Sequence, residues 1–212
     1  MAKKLFKPSK IWYHNAVAGG KYSAPYAYIL GYYSAAESLV QVSIETGKLD
    51  TLFFPICFNY RHFLELSLKH LIIGSEKFAD VSAELGNGEK ITNSVASKIK
   101  NEHSLEKLLN WLVERFEKIS GEQFDNELRE LIVEFHNIDP NGQIFRYPVL
   151  KDGSFSLPDQ SNYDVENIRL QMEKINDFFA GMDAWLDENT QMALEMLYEF
   201  QQEMAAEFGQ YN

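Results

Sequence analysis

Apolar residues recur at intervals of three and four along the first part of the chain, which is the spacing of an amphipathic helix. The first such segment covers residues 23–46, where Ser23 can cap the beginning of a helix and Gly47 can end it. A second segment begins near Asp50, and Gly74 is expected to end it. The pattern therefore predicts two successive helices before residue 75.

The middle of the chain combines a polar stretch with two strongly amphipathic segments. Residues 76–101 are rich in glycine, serine and asparagine, which indicates a loop with at most one short helix. Residues 103–119 and 124–138 each carry an apolar stripe at helical spacing, with the break Ser120-Gly121 between them. Two helices joined by so short a link are expected to pack antiparallel.

A short segment after the fourth helix has the pattern of a β-hairpin. Residues 143–158 read as two strands that bend at Asp152-Gly153. Pro148 confines the first strand to an edge, because proline cannot donate to a strand ladder. The sequence therefore predicts a small β-hairpin insertion.

The C-terminal part of the chain predicts two more helices, over residues 165–186 and 190–208, with the polar residues 187–189 between them. The last helix carries acidic residues four apart on one side: Glu195, Glu199, Glu203 and Glu207. Its other side is apolar and rich in methionine: Met192, Met196, Leu197, Phe200 and Met204. This arrangement is typical of a solvated face above a packed face, and the alternative is an oligomer or partner surface.

Composition adds the size and the charge of the molecule. A chain of 212 residues that is 45% apolar can bury a hydrophobic core, so we expect one all-α domain: an antiparallel helical bundle with the hairpin inserted and the C-terminal helices added. Lys and Arg number 20 against 31 Asp and Glu, which gives a formal charge of −11. Such a balance argues against general binding of duplex DNA, because that affinity comes from cations that neutralise phosphates. A local basic groove is still compatible with it.

Several classes of site are disfavoured by what the sequence lacks. Cys57 is the single cysteine, so no intramolecular disulfide and no cysteine-rich metal site can form. No His-x-x-x-His pair occurs, and we predict neither a metal nor a cofactor. No apolar run approaches the ~20 residues that span a bilayer. We therefore expect a cytoplasmic protein that does not enter the membrane.

The second predicted helix holds the most informative charged residues. Arg61, Glu65 and Lys69 are four residues apart, so they lie on one helical face, where Glu65 can pair with either cation. Most such ladders are ordinary solvated faces. This helix is otherwise so apolar that it must be largely buried, and buried charges need partners. The face is therefore a candidate binding surface.

Two short motifs in this region resemble those of HEPN (higher eukaryote and prokaryote nucleotide-binding) domains. Glu65-Leu66-Ser67-Leu68-Lys69-His70-Leu71 is similar to the first family element, and His103-Ser104-Leu105-Glu106-Lys107-Leu108 is similar to the second. The resemblance covers roughly residues 23–140 and implies a four-helix core. Many HEPN proteins are ribonucleases of prokaryotic defence or toxin–antitoxin systems, so it also implies this setting, a homodimer, and RNA and an antitoxin as partners.

The resemblance also implies a catalytic pair. The family motif is an arginine followed after four to six residues by a histidine, and Arg129 and His136 have six residues between them. Seven residues are about two helical turns, so both side chains share a face. The implied chemistry is RNA cleavage without metal, in which the histidine moves a proton and the arginine binds the phosphate. The family prefers a small polar residue after the arginine, where this chain has Glu130.

The alternative for the same pair is structural. In this interpretation Arg129 pairs with a neighbouring acid such as Asp125. His136 is then a histidine that is favourable at a helix C-terminus for its own sake.

Two further residues could belong to the same pocket. Arg146 stands between Phe145 and Tyr147, and an arginine flanked by aromatic rings can stack on bases or clamp phosphates. It could equally pair with a helix acid. His103 opens its predicted helix, where exposed N–H groups favour an anion, and its alternatives are an N-terminal cap or a partner of Glu65.

Three hypotheses of function follow. The first is a HEPN-like, metal-independent RNA endonuclease that uses Arg129 and His136. The second is a non-catalytic HEPN-like module that binds a nucleotide or a partner protein through five residues: Arg61, Glu65, Lys69, His103 and Arg146. The third is an oligomer-forming helical protein with a structural role.

Overall fold

The protein folds as an all-α helical bundle. The computed structural model describes residues 5–20, 24–157 and 159–209. Within these ranges it contains five α-helices: α1 (Pro25–Thr46), α2 (Leu49–Glu84), α3 (Leu105–Ser120), α4 (Asn126–Ile138) and α5 (Val165–Gly209). The 3-10 helix Trp12–His14 lies near the N-terminus, and the 3-10 helix Ile99–Asn101 lies between α2 and α3. The predicted all-α class is confirmed.

Helix α2 forms the centre of the molecule and packs against α1, α3 and α5. Its apolar side chains, including Phe63, Leu64 and Leu68, are almost completely buried. The first half of α5 adds a stripe at helical spacing to the same core: Met172, Ile175, Phe179, Met182 and Leu186. Helix α5 is therefore part of the central packing rather than an addition to it.

Most helix ends agree with the sequence. Helix α1 ends at Gly47, whose φ of 68° is a conformation that favours glycine, and the predicted cap Ser23 lies outside the described residues. Helix α3 is capped by Ser104, which accepts a hydrogen bond from the Lys107 amide at 3.3 Å, so His103 precedes the helix. Asp125 caps α4 in the same way.

The predicted end of α2 at Gly74 is wrong, because the helix continues for ten more residues to Glu84. A Cβ atom on Gly74 would stand only 3.3 Å from Cδ1 of Leu186 in α5. The glycine therefore allows α5 to approach α2 closely and does not terminate the helix. The predicted loop is shortened accordingly at its N-terminal end.

The predicted break in the C-terminal region is also wrong, since α5 is continuous through residues 187–189. Leu186 and Thr190 on either side are buried, whereas Asp187 and Glu188 are exposed. Polar residues that fall on the solvent side of a helix do not interrupt it when neither glycine nor proline is present. At ~1.5 Å per residue, α5 is about 67 Å long.

The predicted β-hairpin is not formed. The described residues contain no strand, and one isolated antiparallel bridge joins Val149 to Phe155. The carboxylate of Asp139 accepts hydrogen bonds from the amides of Gln143 and Ile144, and the Tyr147 amide bonds back to the Gln143 carbonyl. These contacts hold residues 143–147, the beginning of the first expected strand, in a turn.

None of the helices in the described ranges combines the length and the apolar character that crossing a membrane requires.

Candidate functional site

The charged face of α2 forms a compact ion-pair cluster around Glu65. Arg61 Nη1 lies 3.1 Å from Glu65 Oε2, and Lys69 Nζ lies 2.8 Å from Glu65 Oε1. The side chains of Arg61 and Glu65 are only 3% and 9% exposed. Glu65 therefore pairs with both Arg61 and Lys69, the two cations that lie four residues before and after it.

His103 completes this cluster from the segment before α3. Its Nδ1 lies 2.9 Å from Glu65 Oε1, and since a carboxylate only accepts, Nδ1 carries the proton of this hydrogen bond. The backbone carbonyl of His103 accepts a hydrogen bond from Arg61 Nη2. Of the predicted alternatives for His103, the structure places it as a partner of Glu65.

The partners of Glu65 decide its charge. Burial by itself raises the pKa of this carboxyl group, but the hydrogen bonds and charges of Lys69, His103 and Arg61 outweigh burial and hold the pKa below its usual value. Glu65 is thus a stable carboxylate. We call the set Arg61, Glu65, Lys69 and His103 the Glu65 cluster.

Asp139 adds a further contact that was missed from the sequence. Its carbonyl oxygen accepts from Arg61 Nε at 3.3 Å, and its carboxylate Oδ2 stands 4.0 Å from the same nitrogen. Gly142 lies directly beside the guanidinium, with φ at 69°. The sequence signal for this contact was the segment Asp139-Pro140-Asn141-Gly142. It predicts a turn but does not show which residue the turn packs against.

A second set of polar residues lies where α4 faces α3. His136 Nε2 is 3.6 Å from Glu106 Oε2, and Arg129 Nη2 donates to Asn110 Oδ1 at 3.1 Å. Glu106 and Asn110 are four residues apart in α3, so they share a face of that helix. Arg129 and His136 therefore both contact the same face of α3, along the line where α3 and α4 meet, and we call this line the α3/α4 groove.

The contacts of Arg129 differ from the structural alternative. Asp125 caps α4 through the Leu128 amide, and within the described residues no carboxylate lies within 4.0 Å of the Arg129 guanidinium. Glu130, the residue that departs from the family pattern, accepts from Asn126 Nδ2 at 2.8 Å. Arg129 is exposed and retains hydrogen-bonding capacity.

The side chain of His136 is more buried than that of Arg129. Its side chain is 12% exposed, and its Nδ1 is buried with no hydrogen-bond partner among the described residues. The nitrogen that faces the groove is Nε2, beside Glu106. Proton exchange with a molecule in the groove would therefore take place at Nε2.

Arg146 lies apart from these two sets, on the exposed turn after α4. Its guanidinium carbon is 5.2 Å from the ring centroid of Tyr147 and 5.9 Å from that of Phe58. The ring of His62 stacks on the ring of Phe58, with 6.1 Å between the two centroids. Burial lowers the pKa of His62, and the positive charges of Arg61, Lys69 and Arg146 lower it further. The negative charge of Glu65 raises the pKa but does not reverse the shift, so the imidazole is neutral near pH 7.

Two other features of the described residues have structural explanations. Arg115, whose side chain is 1% exposed, binds Glu76 at 2.8 Å and the carbonyls of Trp111 and Asn93, which fixes the loop before α3. Burial raises the pKa of the Cys57 thiol to about 12, so this cysteine is an inert core residue. No group of three or more His, Cys, Asp or Glu side chains suited to a metal ion occurs in the ranges described.

Comparison of the chain with family models, with curated proteins and with solved structures gave no match.

Proposed function

We propose that this protein is a HEPN-like, metal-independent RNA endonuclease of a prokaryotic defence or toxin–antitoxin system. The proposal rests on one observation: Arg129 and His136, paired by the sequence motif, both reach toward the same face of α3. The arginine has no carboxylate partner among the described residues, so its charge is available to a phosphate.

The geometry supports a division of roles within the α3/α4 groove. Arg129 would bind a phosphate oxygen and stabilise the charge that develops there. His136 would move a proton at Nε2, either from the ribose 2′-hydroxyl or to the 5′-oxygen of the leaving strand. The 2′-oxygen then bonds to phosphorus as the bond to the 5′-oxygen breaks, and solvent exchanges the proton that His136 does not move. The step needs no metal and no attacking water.

The test is degradation of RNA by purified protein in the presence of EDTA. His136→Ala should slow cleavage about 100-fold or more, since general acid–base groups contribute at least that factor. Arg129→Ala should slow it about 10- to 100-fold through the loss of a charge-assisted contact. Circular dichroism should show that both variants keep their helical content.

Matched controls are two variants of the same residue types outside the groove. Arg169→Ala changes an arginine on α5 that pairs with Glu166 and Glu173, and His14→Ala changes an exposed histidine near the N-terminus. Both should cleave RNA at the wild-type rate. Absence of cleavage, or cleavage that the groove variants leave unchanged, would overturn the proposal.

The non-catalytic alternative is favoured by a specific observation at Arg146. This residue is exposed, stands beside two aromatic rings, and has no carboxylate within 4.0 Å among the described residues. It could hold the phosphate or the base of a nucleotide, whereas Arg61 and Glu65 are already occupied by each other. Titration of fluorescent nucleotides should then show binding that Arg146→Ala abolishes, without turnover.

The proposed assembly is a homodimer, with an antitoxin or another protein as a further partner. The C-terminal half of α5 leaves apolar side chains in solvent, including Met192, Met196 and Phe200, which are about half exposed. An apolar patch of this kind is typical of an interaction surface. Sedimentation equilibrium should give the mass of a dimer for the wild type and of a monomer for a Met196→Glu/Phe200→Glu variant.

A further inference from the structure

A cavity of about 210 Å³ lies between α1, α2 and α5. Its walls come from these three helices alone, so it is separate from the α3/α4 groove. Most of its lining is apolar or aromatic, with Ile29 and Tyr33 from α1, Phe63 and Leu71 from α2, and Phe179 from α5. Such a mainly apolar concave site with a few polar groups is typical of small-molecule binding.

Ser67 brings an unsatisfied polar group to this cavity. The residue is 3% exposed, and its Oγ has no hydrogen-bond partner among the described residues. Ser75, a buried serine of the same helix, instead donates to the Leu71 carbonyl one turn before it at 2.8 Å. Because a buried hydroxyl is favourable only when it has a partner, Ser67 offers a hydrogen bond to a molecule in this cavity.

His70 and Asp183 supply the second polar feature. His70 Nε2 lies 2.8 Å from Asp183 Oδ1, and about one third of each side chain is exposed. Both residues line the cavity, and Asp183 is the acidic group among its walls. A carboxylate at the opening of an apolar cavity favours a cation there.

The charged groups that act on Tyr33, which lines one wall of the cavity, are mainly negative. Burial and then the negative charges of Glu37, Glu173 and Asp177 raise the pKa of Tyr33 to about 12, with Arg169 opposing them. The groups around Tyr33 thus disfavour additional negative charge. Aromatic rings line the same cavity, and an aromatic ring attracts a cation that approaches its face.

We propose that this cavity binds a small aromatic amine that carries a hydroxyl group at the far end of its ring. The ring would pack against Tyr33, Phe63 and Phe179, and the ammonium group would pair with Asp183. The hydroxyl group would complete the hydrogen bonding of Ser67. This ligand is neither RNA nor a nucleotide, so the inference does not depend on the proposed nuclease activity.

The experiment is isothermal titration calorimetry of the full chain with tyramine as the probe. Two analogues separate the polar contacts: phenethylamine lacks the hydroxyl group, and 3-(4-hydroxyphenyl)propionate replaces the ammonium group with a carboxylate. Tyramine should bind about fivefold more tightly than phenethylamine, which is the effect of one hydrogen bond. The carboxylate should bind at least about tenfold more weakly than tyramine, because it meets Asp183.

Variants assign each contact. Ser67→Ala should weaken tyramine about fivefold and leave phenethylamine unchanged. Asp183→Asn, which keeps an oxygen for His70 and removes the charge, should weaken both amines about tenfold. Ser75→Ala is the matched control, because its hydroxyl bonds to its own helix, and it should leave binding unchanged.

Methyl NMR of the wild-type protein gives a readout that does not depend on the folding of any variant. Tyramine should shift the Ile29 and Leu71 methyl resonances and leave the Ile132 methyls in α4 in place. No saturable binding of either amine, equal binding of the carboxylate, or shifts at Ile132 instead would overturn the proposal. Since RNA is absent from these measurements, their failure would not affect the proposed nuclease.

Discussion

The Glu65 cluster and the α3/α4 groove contain the same kinds of groups but satisfy them to different extents. Each has an arginine and a histidine, and in each the histidine lies close to a glutamate. In the Glu65 cluster the arginine donates to Glu65, to the His103 carbonyl and to the Asp139 carbonyl, and it is 3% exposed. In the groove Arg129 is exposed and has one described side-chain contact, with Asn110.

This difference in pairing and exposure indicates which region stabilises the fold and which is available to bind a ligand. Charges removed from water must be paired inside the protein, and a fully paired charge has little left to offer a ligand. The Glu65 cluster joins α2, the beginning of α3 and the turn after α4, which are distant in sequence. We therefore assign the Glu65 cluster to the fold and the α3/α4 groove to the proposed chemistry.

The largest effect on stability is expected from Arg61→Met. Removing the arginine leaves Oε2 of Glu65 and two backbone carbonyls without the donor that Arg61 supplies, while Lys69 and His103 still contact Oε1. Breaking a buried pair in this way costs about 3–5 kcal/mol. Urea unfolding followed by circular dichroism measures this loss. Arg146→Met is the matched control at an exposed site and should change the free energy of unfolding by less than about 0.5 kcal/mol. Equal values for the two variants would contradict the structural role of Arg61.

Glu65→Gln should have a smaller effect that depends on pH. Near pH 7 the substitution should cost about 2 kcal/mol, because the amide keeps one acceptor and loses the charge. The folded-state pKa of Glu65 lies below the usual 4.5, so its contribution is complete above pH 4.5 and is lost as the pH falls through the folded value.

Urea titrations of the wild type and Glu65→Gln over a pH series measure this contribution. The two free energies of unfolding should converge below pH 4.5. A difference that stays constant as the pH falls, or one that widens, would show that the carboxylate charge does not stabilise the fold.

His103→Gln should cost less again. The ring is 63% exposed, so its hydrogen bond to Glu65 is partly replaced by water, and we expect a loss of about 0.5–1 kcal/mol. His14→Gln serves as the control, since this exposed histidine should change stability by less than about 0.3 kcal/mol. Thermal unfolding at constant pH distinguishes the two. A loss of several kcal/mol for His103→Gln would mean that His103 is coupled to the rest of the Glu65 cluster more strongly than its exposure indicates.

Local features of both regions could be predicted from the sequence. The four-residue spacing of Arg61, Glu65 and Lys69 predicted the contacts that α2 forms within itself. The all-α class and the end of α1 at Gly47 followed from periodicity and residue type in the same way. The catalytic roles of Arg129 and His136 remain a prediction.

Features that depend on distant residues could not be predicted. Arg61 and Asp139 are 78 residues apart, and no local pattern joins them. Gly74 has the residue type of a helix end, but the packing of Leu186 against it decides its role. The expected hairpin does not form for a similar reason, because the Asp139 carboxylate accepts hydrogen bonds from the Gln143 and Ile144 amides of the first expected strand. Tertiary contacts outweigh local preference at each of these positions.

The smallest effect on stability is expected from Arg129→Met, and this variant tests the comparison most directly. Its exposed contact with Asn110 contributes little, so the free energy of unfolding should change by less than about 0.5 kcal/mol. The same variant should lose RNA cleavage about 10- to 100-fold, because the phosphate contact is gone, while Arg129→Lys should recover part of it through its charge. Urea unfolding and RNA degradation on the same preparation provide both values. If Arg129→Met destabilises the protein as much as Arg61→Met and leaves cleavage unchanged, the two regions do not differ in function and the α3/α4 groove is a structural contact.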